Sequence, residues 1–421
     1  VMAQAPAADE PVVLEEVTVT ARKREETVLE VPIAIAALST AKLEEAGIKS
    51  VSDLGAFAPG LNFTQQVGNG PGGRSQGAIQ FRGMSSQQGT NREQSGSIFV
   101  DGIFVSGGVA SVDTTDVQRV EILRGPQNAY FGRNTFGGAI NFVTRNPGDE
   151  FQGEVTAGAA SRGGYDFRGK VEGPLIEGKL AGRLSAVKYR KGAQYTANDG
   201  GELGEQNTES LSGTLYATPT DNWTMRLRGH VQRDDDGAMD NAFVRGTQYG
   251  SLCSGQTFTA ANASGAPVSF ALGRPYFCSE SQIPSPDVLV SQNTTMFPRV
   301  LSTLGLPNLW YDIVANNSLN NPILGRTPRM FDFGMKRNVA RVSFQTDYTF
   351  ANDITLAASY GFDQSSQTTV YDPDRTDAEN TWAVLPAINH AWQAEVRLQS
   401  GQEQSLRWLL GYSMFQGEWE T

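Results

Sequence analysis

Residues 223–232 read Trp-Thr-Met-Arg-Leu-Arg-Gly-His-Val-Gln. Trp223, Met225, Leu227, Gly229 and Val231 fall on one side of an extended chain, and Thr224, Arg226, Arg228, His230 and Gln232 on the other. A period of two is the signature of a strand with one apolar and one polar face. The same alternation sets Ala340, Val342, Phe344, Thr346, Tyr348 and Phe350 against Arg341, Ser343, Gln345, Asp347 and Thr349. It also sets Trp392, Ala394, Val396 and Leu398 against Gln393, Glu395, Arg397 and Gln399. Each run is about ten residues or longer, enough to cross a bilayer as a tilted strand.

Nine such runs are expected after residue 150: 151–160, 165–175, 180–192, 208–219, 222–234, 337–350, 353–365, 389–400 and 404–419. Short connections (176–179, 219–222, 351–353, 400–404) alternate with long ones (193–207, 236–335, 365–388), and only 161–164 is short where a long one is due. Outer-membrane barrels show this asymmetry, with short periplasmic turns and long external loops, and a soluble sandwich gives no reason for it. Trp223, Tyr348, Phe350 and Trp408 stand beside short turns, where an interfacial girdle belongs. Nine is odd, whereas single-chain bacterial barrels close with even numbers, and an open edge in lipid leaves backbone groups unpaired. The expectation is a chain whose C-terminal strands lie outside these residues.

Composition agrees. The chain has 421 residues, 19% of them charged, with 46 Gly and a net charge of −11. That balance argues against a nucleic-acid partner, which needs a basic face. Of 34 basic residues 26 are Arg, the side chain suited to fixed polar contacts. Mean hydropathy is −0.33 and no apolar run reaches 18 residues, so membrane-spanning helices are excluded while strands are not. Two His (His230, His390) and two Cys leave little for a metal site, and none is assigned. Without a nucleophile elbow or ligand spacing, no enzyme and no resident cofactor is expected. His230 and His390 read as ordinary strand residues.

Toward the N-terminus the texture changes. Residues 1–5, Val-Met-Ala-Gln-Ala, fit the small-x-small end of a signal peptide. Residues 6–30 read as a flexible tail carrying one β-prone stretch, 14–21, and a charged linker from Arg22 to Glu26. A short exposed strand near a free end invites pairing with another protein's sheet edge. Residues 31–147 read as a small α+β unit: a helix over 40–47, a turn from about 50 to Leu54, and strands at 78–82, 97–101, 118–123 and 139–144 between Gly-rich loops.

The motifs of this unit carry a resemblance. Ala78-Ile-Gln-Phe-Arg-Gly-Met-Ser85, Ser97-Ile-Phe-Val-Asp-Gly-Ile103 and the long stretch Val117–Pro147 resemble the plug of TonB-dependent outer-membrane receptors. The resemblance implies a mainly β fold, an α+β plug (31–147) inside a transmembrane antiparallel barrel (from 151 to 421), with about nine of roughly 22 strands present. Glu16, Val17, Thr18, Val19, Thr20 and Ala21 match the family's TonB box, which pairs with the periplasmic protein TonB and its inner-membrane energising complex. The implied function is active import of a scarce ligand, with a ferric siderophore leading and a carbohydrate, cobalamin or another large solute as alternatives. A ferric chelate is then cargo, and outer-membrane lipid surrounds the barrel. A passive or structural barrel is the reading from a different class.

The motif positions are Arg82, Gly83, Asp101, Gly102, Arg124, Gly125, Pro126, Gly132, Arg133, Asn134, Gly137 and Gly138. The glycines are expected to permit tight turns or close packing. Arg82, Arg124 and Arg133 are expected to hold the plug to itself or to inward wall residues such as Arg226, Arg228, Arg341 and Glu395. Ligand candidates on the apical loops are Gln65, Gln66, Arg74, Gln87, Gln88, Asn91 and Arg92, with the arginines meeting an anionic chelate. Cys253 and Cys278 share the long loop, and in an exported protein a disulfide is expected. Asp234, Asp235, Asp236 and Asp240 read as a solvated charge run, with Ca²⁺ binding as the alternative. The loop aromatics Phe270, Tyr276, Phe277, Phe297, Trp310 and Tyr311 either contact substrate or pack the loop.

Overall fold

The computed structural model describes residues 18–20, 23–24, 26–27, 31, 33–46, 48, 51–64, 74, 78–84, 95–108, 111–112, 114–132, 134–196, 201–240, 257–261, 267–271, 320–321, 325–326, 333–371 and 383–420.

In the tail, β1 (Thr18–Val19) pairs antiparallel with β2 (Glu26–Thr27). The plug unit follows with β3 (Ala34–Ser39), α1 (Thr40–Glu45), a 3-10 turn (Val51–Ala56), β4 (Leu61–Thr64), β5 (Ala78–Phe81), β6 (Gly96–Val100), β7 (Ile103–Phe104), β8 (Val117–Arg124), α2 (Asn128–Phe131) and β9 (Gly138–Thr144). Five of these form one sheet in the order β3-β8-β9-β6-β7, with β6 and β9 parallel, and β4 pairs with β5 separately. The four plug strands expected from sequence are β5, β6, β8 and β9. β3, β4 and β7 are additional: they are short, and Ala34–Ser39 is nearly all small or apolar, so it lacks a period-two signal. The core of the unit joins Leu54, Ile79, Phe81, Ile98, Ile122, Ile140 and Phe142.

The wall is a nine-stranded antiparallel meander: β10 (Gln152–Ala160), β11 (Gly164–Ile176), β12 (Leu180–Lys191), β13 (Gln206–Thr220), β14 (Trp223–Asp236), β15 (Gly334–Thr349), β16 (Thr355–Tyr371), β17 (Ala383–Gln399) and β18 (Leu409–Glu420). Every strand pairs with its sequence neighbour, and β10 and β18 do not pair with each other. Leu227 and Val231 are exposed on the outer face, while Arg226, Arg228, His230 and Gln232 are buried on the inner one. Trp223, Tyr348, Phe350 and Trp408 are part-exposed beside the short connections, and the Trp223 indole N–H donates to Thr346 Oγ1 at 2.9 Å. The fold is mainly β, with the α+β unit lying against the nine-stranded wall.

Boundaries differ most at β16 and β17, which run on to Tyr371 and back to Ala383. The polar run Gln364–Thr369 masks the alternation. Those residues are nonetheless mostly buried and continue the ladder, since strand pairing needs only backbone partners. The connection expected at 400–404 is longer, reaching Trp408. Short two-stranded ladders lie in the long connections at Tyr195–Thr196 with Glu202–Leu203, Thr257–Ala261 with Pro267–Ala271, and Asn320–Asn321 with Gly325–Arg326.

Candidate functional site: the stowed tail and the plug–wall contacts

In the tail strand Thr18 is exposed and Val19 is buried. Val19 has 0% exposure and packs with Phe99, Phe104, Leu123 and Phe131 of the plug and Ala391 of the wall. The backbone N–H of Thr20 donates to Glu121 Oε1 at 2.8 Å, and its hydroxyl donates to the same carboxylate at 3.1 Å. Glu121 is fully buried on β8 and also accepts from Arg119 Nε (2.8 Å) and Asn141 Nδ2 (3.2 Å). The reason is chemical: an apolar side chain and two donors find an apolar cluster and a buried carboxylate. Glu16, Val17 and Ala21 lie outside the described residues.

The charged linker is likewise engaged. Lys23 Nζ lies 3.6 Å from Glu395 on β17 and 5.0 Å from the Phe131 ring centre. Burial pulls the Lys23 ammonium below its ordinary value, although Glu395 opposes the shift. Arg24 Nη2 donates to the Trp408 carbonyl at 2.7 Å. The tail therefore touches both plug and wall.

The motif glycines divide into two uses. Gly83, Gly102, Gly125 and Gly132 have positive φ. Gly137 and Gly138 serve close approach: a Cβ on Gly138 would lie 2.5 Å from the Leu123 carbonyl and 2.6 Å from the Phe81 ring. Asp101 (φ 52°) and Gly102 (φ 77°) form the two-residue turn between β6 and β7, where both positions need the left-handed region. Arg82 is exposed. Arg124 reaches the Pro59 carbonyl at 3.4 Å, within the plug. Pro126 is exposed, and the Asn134 carbonyl accepts from Ser97 Oγ at 3.0 Å. Arg133 lies outside the described residues.

Among the described residues, Arg226 and Arg341 of the wall meet a plug carboxylate and plug hydroxyls, and Arg337 donates to the Arg74 carbonyl at 3.3 Å. Asp101 accepts from Thr144 N and Oγ1, both at 2.8 Å, and pairs with Arg226 of β14 at 2.7 Å. Burial pushes the Asp101 carboxyl up, and the guanidiniums of Arg226 and Arg228 more than offset this, holding it below the ordinary carboxylate value. The same turn is held by Gln345 Nε2 on the Asp101 carbonyl (2.7 Å) and Gln393 Nε2 on the Gly102 carbonyl (2.9 Å). Two further nodes were not legible beforehand. Asp116 joins Arg183 (3.1 Å) and Ser185 of β12. Asp363 of β16 accepts from Ser106 and pairs with Arg341, which donates to Ser111 O at 2.7 Å. The signal was present for Asp363, a carboxylate at an inward position of an alternating strand.

Arg74 corrects an expectation. It is spent on the wall, donating through Nε to Asp236 at 3.0 Å and through Nη1 to Thr208 at 2.8 Å. Asp234 and Asp236 are buried, and Asp234 also pairs with Arg337 at 2.7 Å. They form neither a solvated run nor a cation site, because the adjacent guanidiniums neutralise them; Asp235 faces Lys336 at 3.7 Å. Gln65, Gln66, Gln87, Gln88, Asn91, Arg92, Cys253, Cys278 and the side chains of the loop aromatics lie outside the described residues. His230 is buried with Nδ1 at 2.8 Å from Ser212 Oγ, and His390 Nε2 lies 3.3 Å from Glu418.

Residues 27–139 match the family model "TonB-dependent Receptor Plug Domain". The pesticin receptor of Yersinia pestis is 32% identical over 151 residues, 36% of this chain and 22% of that protein. The ferrioxamine B receptor of Salmonella typhimurium is 25% identical over 215 residues, 50% of this chain and 28% of that protein. The crystal structure of the ferric yersiniabactin uptake receptor of Yersinia pestis superposes with a TM-score of 0.64 at 18% identity, covering 92% of this chain and 49% of that one; this likeness bears on the fold alone. The chain thus spans less than a third of these two curated relatives and about half of that structure. These relatives are named as receptors. Residues 27–139 are thus similar to a TonB-dependent receptor plug, and the fold of the chain is like that of the ferric yersiniabactin uptake receptor.

Proposed function

We propose that this chain serves TonB-dependent import of a scarce ligand across the outer membrane, with the plug gating the barrel and a ferric siderophore as cargo. The observation that carries this reading is the stowed tail, Thr18–Thr20 held on Glu121 at the plug's underside. A passive or structural barrel has no use for a pairing segment tied to a plug carboxylate. In this reading, external binding shifts the plug, loosens Glu121 from Thr20 and frees the segment for β-addition to TonB. The work then comes from the inner-membrane complex, since the outer membrane holds no energy source of its own. The siderophore assignment is supported by the relative named for ferrioxamine B.

The test is uptake by the full-length receptor in intact cells. Radio-iron ferrioxamine B and ferric yersiniabactin serve as probes, with labelled cobalamin beside them. Import of an iron probe that is lost on deleting residues 14–21, while surface binding persists, is the expected result. Uptake indifferent to the deletion refutes energised import, and import of cobalamin alone refutes the siderophore assignment.

A further inference from the structure

β7 stands last in the plug sheet order β3-β8-β9-β6-β7, paired on one side only, with Phe104 opposite Phe99 and Ile103 opposite Val100. An open strand edge presents a row of N–H and C=O groups, and folded proteins cover or pair such edges. This edge does not face water, because Ile103 and Phe104 are both buried. Its backbone groups therefore need partners other than a strand.

The wall supplies them. Val105 N–H donates to the Ile98 carbonyl of β6 at 3.0 Å, so the N–H groups of Phe104 and Ser106 point the other way, out of the sheet. Phe104 N–H donates to Gln393 Oε1 of β17 at 3.0 Å, and Ser106 N–H donates to Asp363 Oδ1 of β16 at 2.6 Å. Gln393 Nε2 in turn donates to the Gly102 carbonyl at 2.9 Å. One side-chain amide thus accepts from one backbone group and donates to another two residues away. A residue of an adjoining parallel strand makes the same two bonds with its peptide groups. Gln393 occupies the place of a sixth strand.

The wall is also shaped for this approach. Gly361 of β16 is the register partner of Gln393. A Cβ on Gly361 would lie 2.2 Å from Ile103 Cγ2, closer than non-bonded atoms come. Gly361 is not among the glycines with positive φ, so what its missing side chain provides is space. A Cβ on Gly107 would likewise lie 2.8 Å from Ser365 Cβ. Asp363 is neutralised by Arg341 beside it, so the carboxylate that holds Ser106 is not a bare buried charge.

We propose that Gln393 fixes the β7 end of the plug sheet to the wall during the import cycle. It is a positioning residue: it acts by holding β7 against β16 and β17 while TonB pulls on the tail. Asp363 and the notch at Gly361 support it.

This proposal rests on the import reading, and two measurements on the full-length receptor test it. The first needs no transport. In detergent, Gln393→Leu keeps the bulk of the side chain and leaves Phe104 N–H without its acceptor. Amide exchange at Phe104 should rise about tenfold while Ile122 and Ile140 in the plug core stay protected. Unchanged exchange at Phe104, or an equal rise at all three, overturns the capping role. The second is exclusion of vancomycin, which an intact outer membrane keeps out. Cells carrying Gln393→Leu and supplied with ferrioxamine B should lose that exclusion, and deleting residues 14–21 in the same variant should restore it. A leak that survives the deletion marks a packing defect and overturns the anchor. So does full exclusion by Gln393→Leu in cells whose wild-type receptor imports radio-iron ferrioxamine B. A wild-type receptor that imports neither ferrioxamine B nor labelled cobalamin refutes the import reading instead, and the exchange at Phe104 then decides the capping alone.

Discussion

Glu121→Gln is the sharpest perturbation of the stowed tail. It keeps the shape of the side chain and removes its charge. Thr20 places two donors on this carboxylate, its amide at 2.8 Å and its hydroxyl at 3.1 Å. Hydrogen bonds to a charged group are worth roughly 1.5–3 kcal/mol and neutral ones about 1. The new amide also sets an NH₂ where Asn141 Nδ2 now donates at 3.2 Å, so at most one oxygen remains to accept. Glu121 is fully buried, so solvent does not screen the loss. Releasing Thr20 then becomes easier by about 2 kcal/mol, a rise of about thirtyfold in the freed fraction at ~1.4 kcal/mol per tenfold. The assay is amide hydrogen exchange at Thr20, read by mass spectrometry on the tail peptide of the full receptor in detergent. Exchange at Ile122 and Ile140 monitors the plug core. Thr20→Val is the companion variant: it leaves the Arg119–Glu121 pair intact and should raise exchange about tenfold. Core amides that stay protected while Thr20 exchange rises less than about threefold in both variants would refute the reasoning.

Two other outcomes follow from the same contacts. Asp101 is held below its ordinary value of 3.8 in the folded state, so its contribution is fully present above 3.8 and is lost as pH falls through the folded value. Tryptophan emission reporting plug docking should therefore stay level from neutrality to about pH 4, and Asp101→Asn should remove part of the acid loss; a variant with an unchanged acid limb would sink this assignment. Gly138→Ala puts a Cβ 2.5 Å from the Leu123 carbonyl, and overpacking of this kind costs about 1–3 kcal/mol, so the plug should lose protease resistance at a lower temperature than the wild type. An unchanged protease profile would show that β8 and β9 can move apart freely.

The wall was legible because its physics is local. Leu227 faces outward and Arg226 inward by simple alternation, and nine runs located that way became the nine strands of one sheet. The plug motifs were legible by resemblance, and Gly102 and Gly138 then showed the backbone reasons behind it. What stayed hidden was partnership across long sequence distances. Nothing adjacent to Arg74 in the chain announces Asp236, 162 residues on. An arginine placed on an apical loop looks like a ligand contact until the fold supplies its carboxylate. The cover over Val19 was hidden in the same way, because it comes from Phe99, Leu123 and Ala391, far along the chain.

The order of the plug sheet also has a mechanical consequence. The tail leads through residues 28–33 into β3, and β3 is the outermost strand of the order β3-β8-β9-β6-β7. Tension on the tail enters the sheet at Ala34, the corner where β3 meets Arg124 of β8. A border strand loaded from one corner yields rung by rung, whereas splitting β8 from β9 would tear through the apolar core around Ile122 and Ile140. The plug thus offers its least costly seam to whatever grips the tail, and β8, β9 and β6 can keep their pairing while β3 is drawn away.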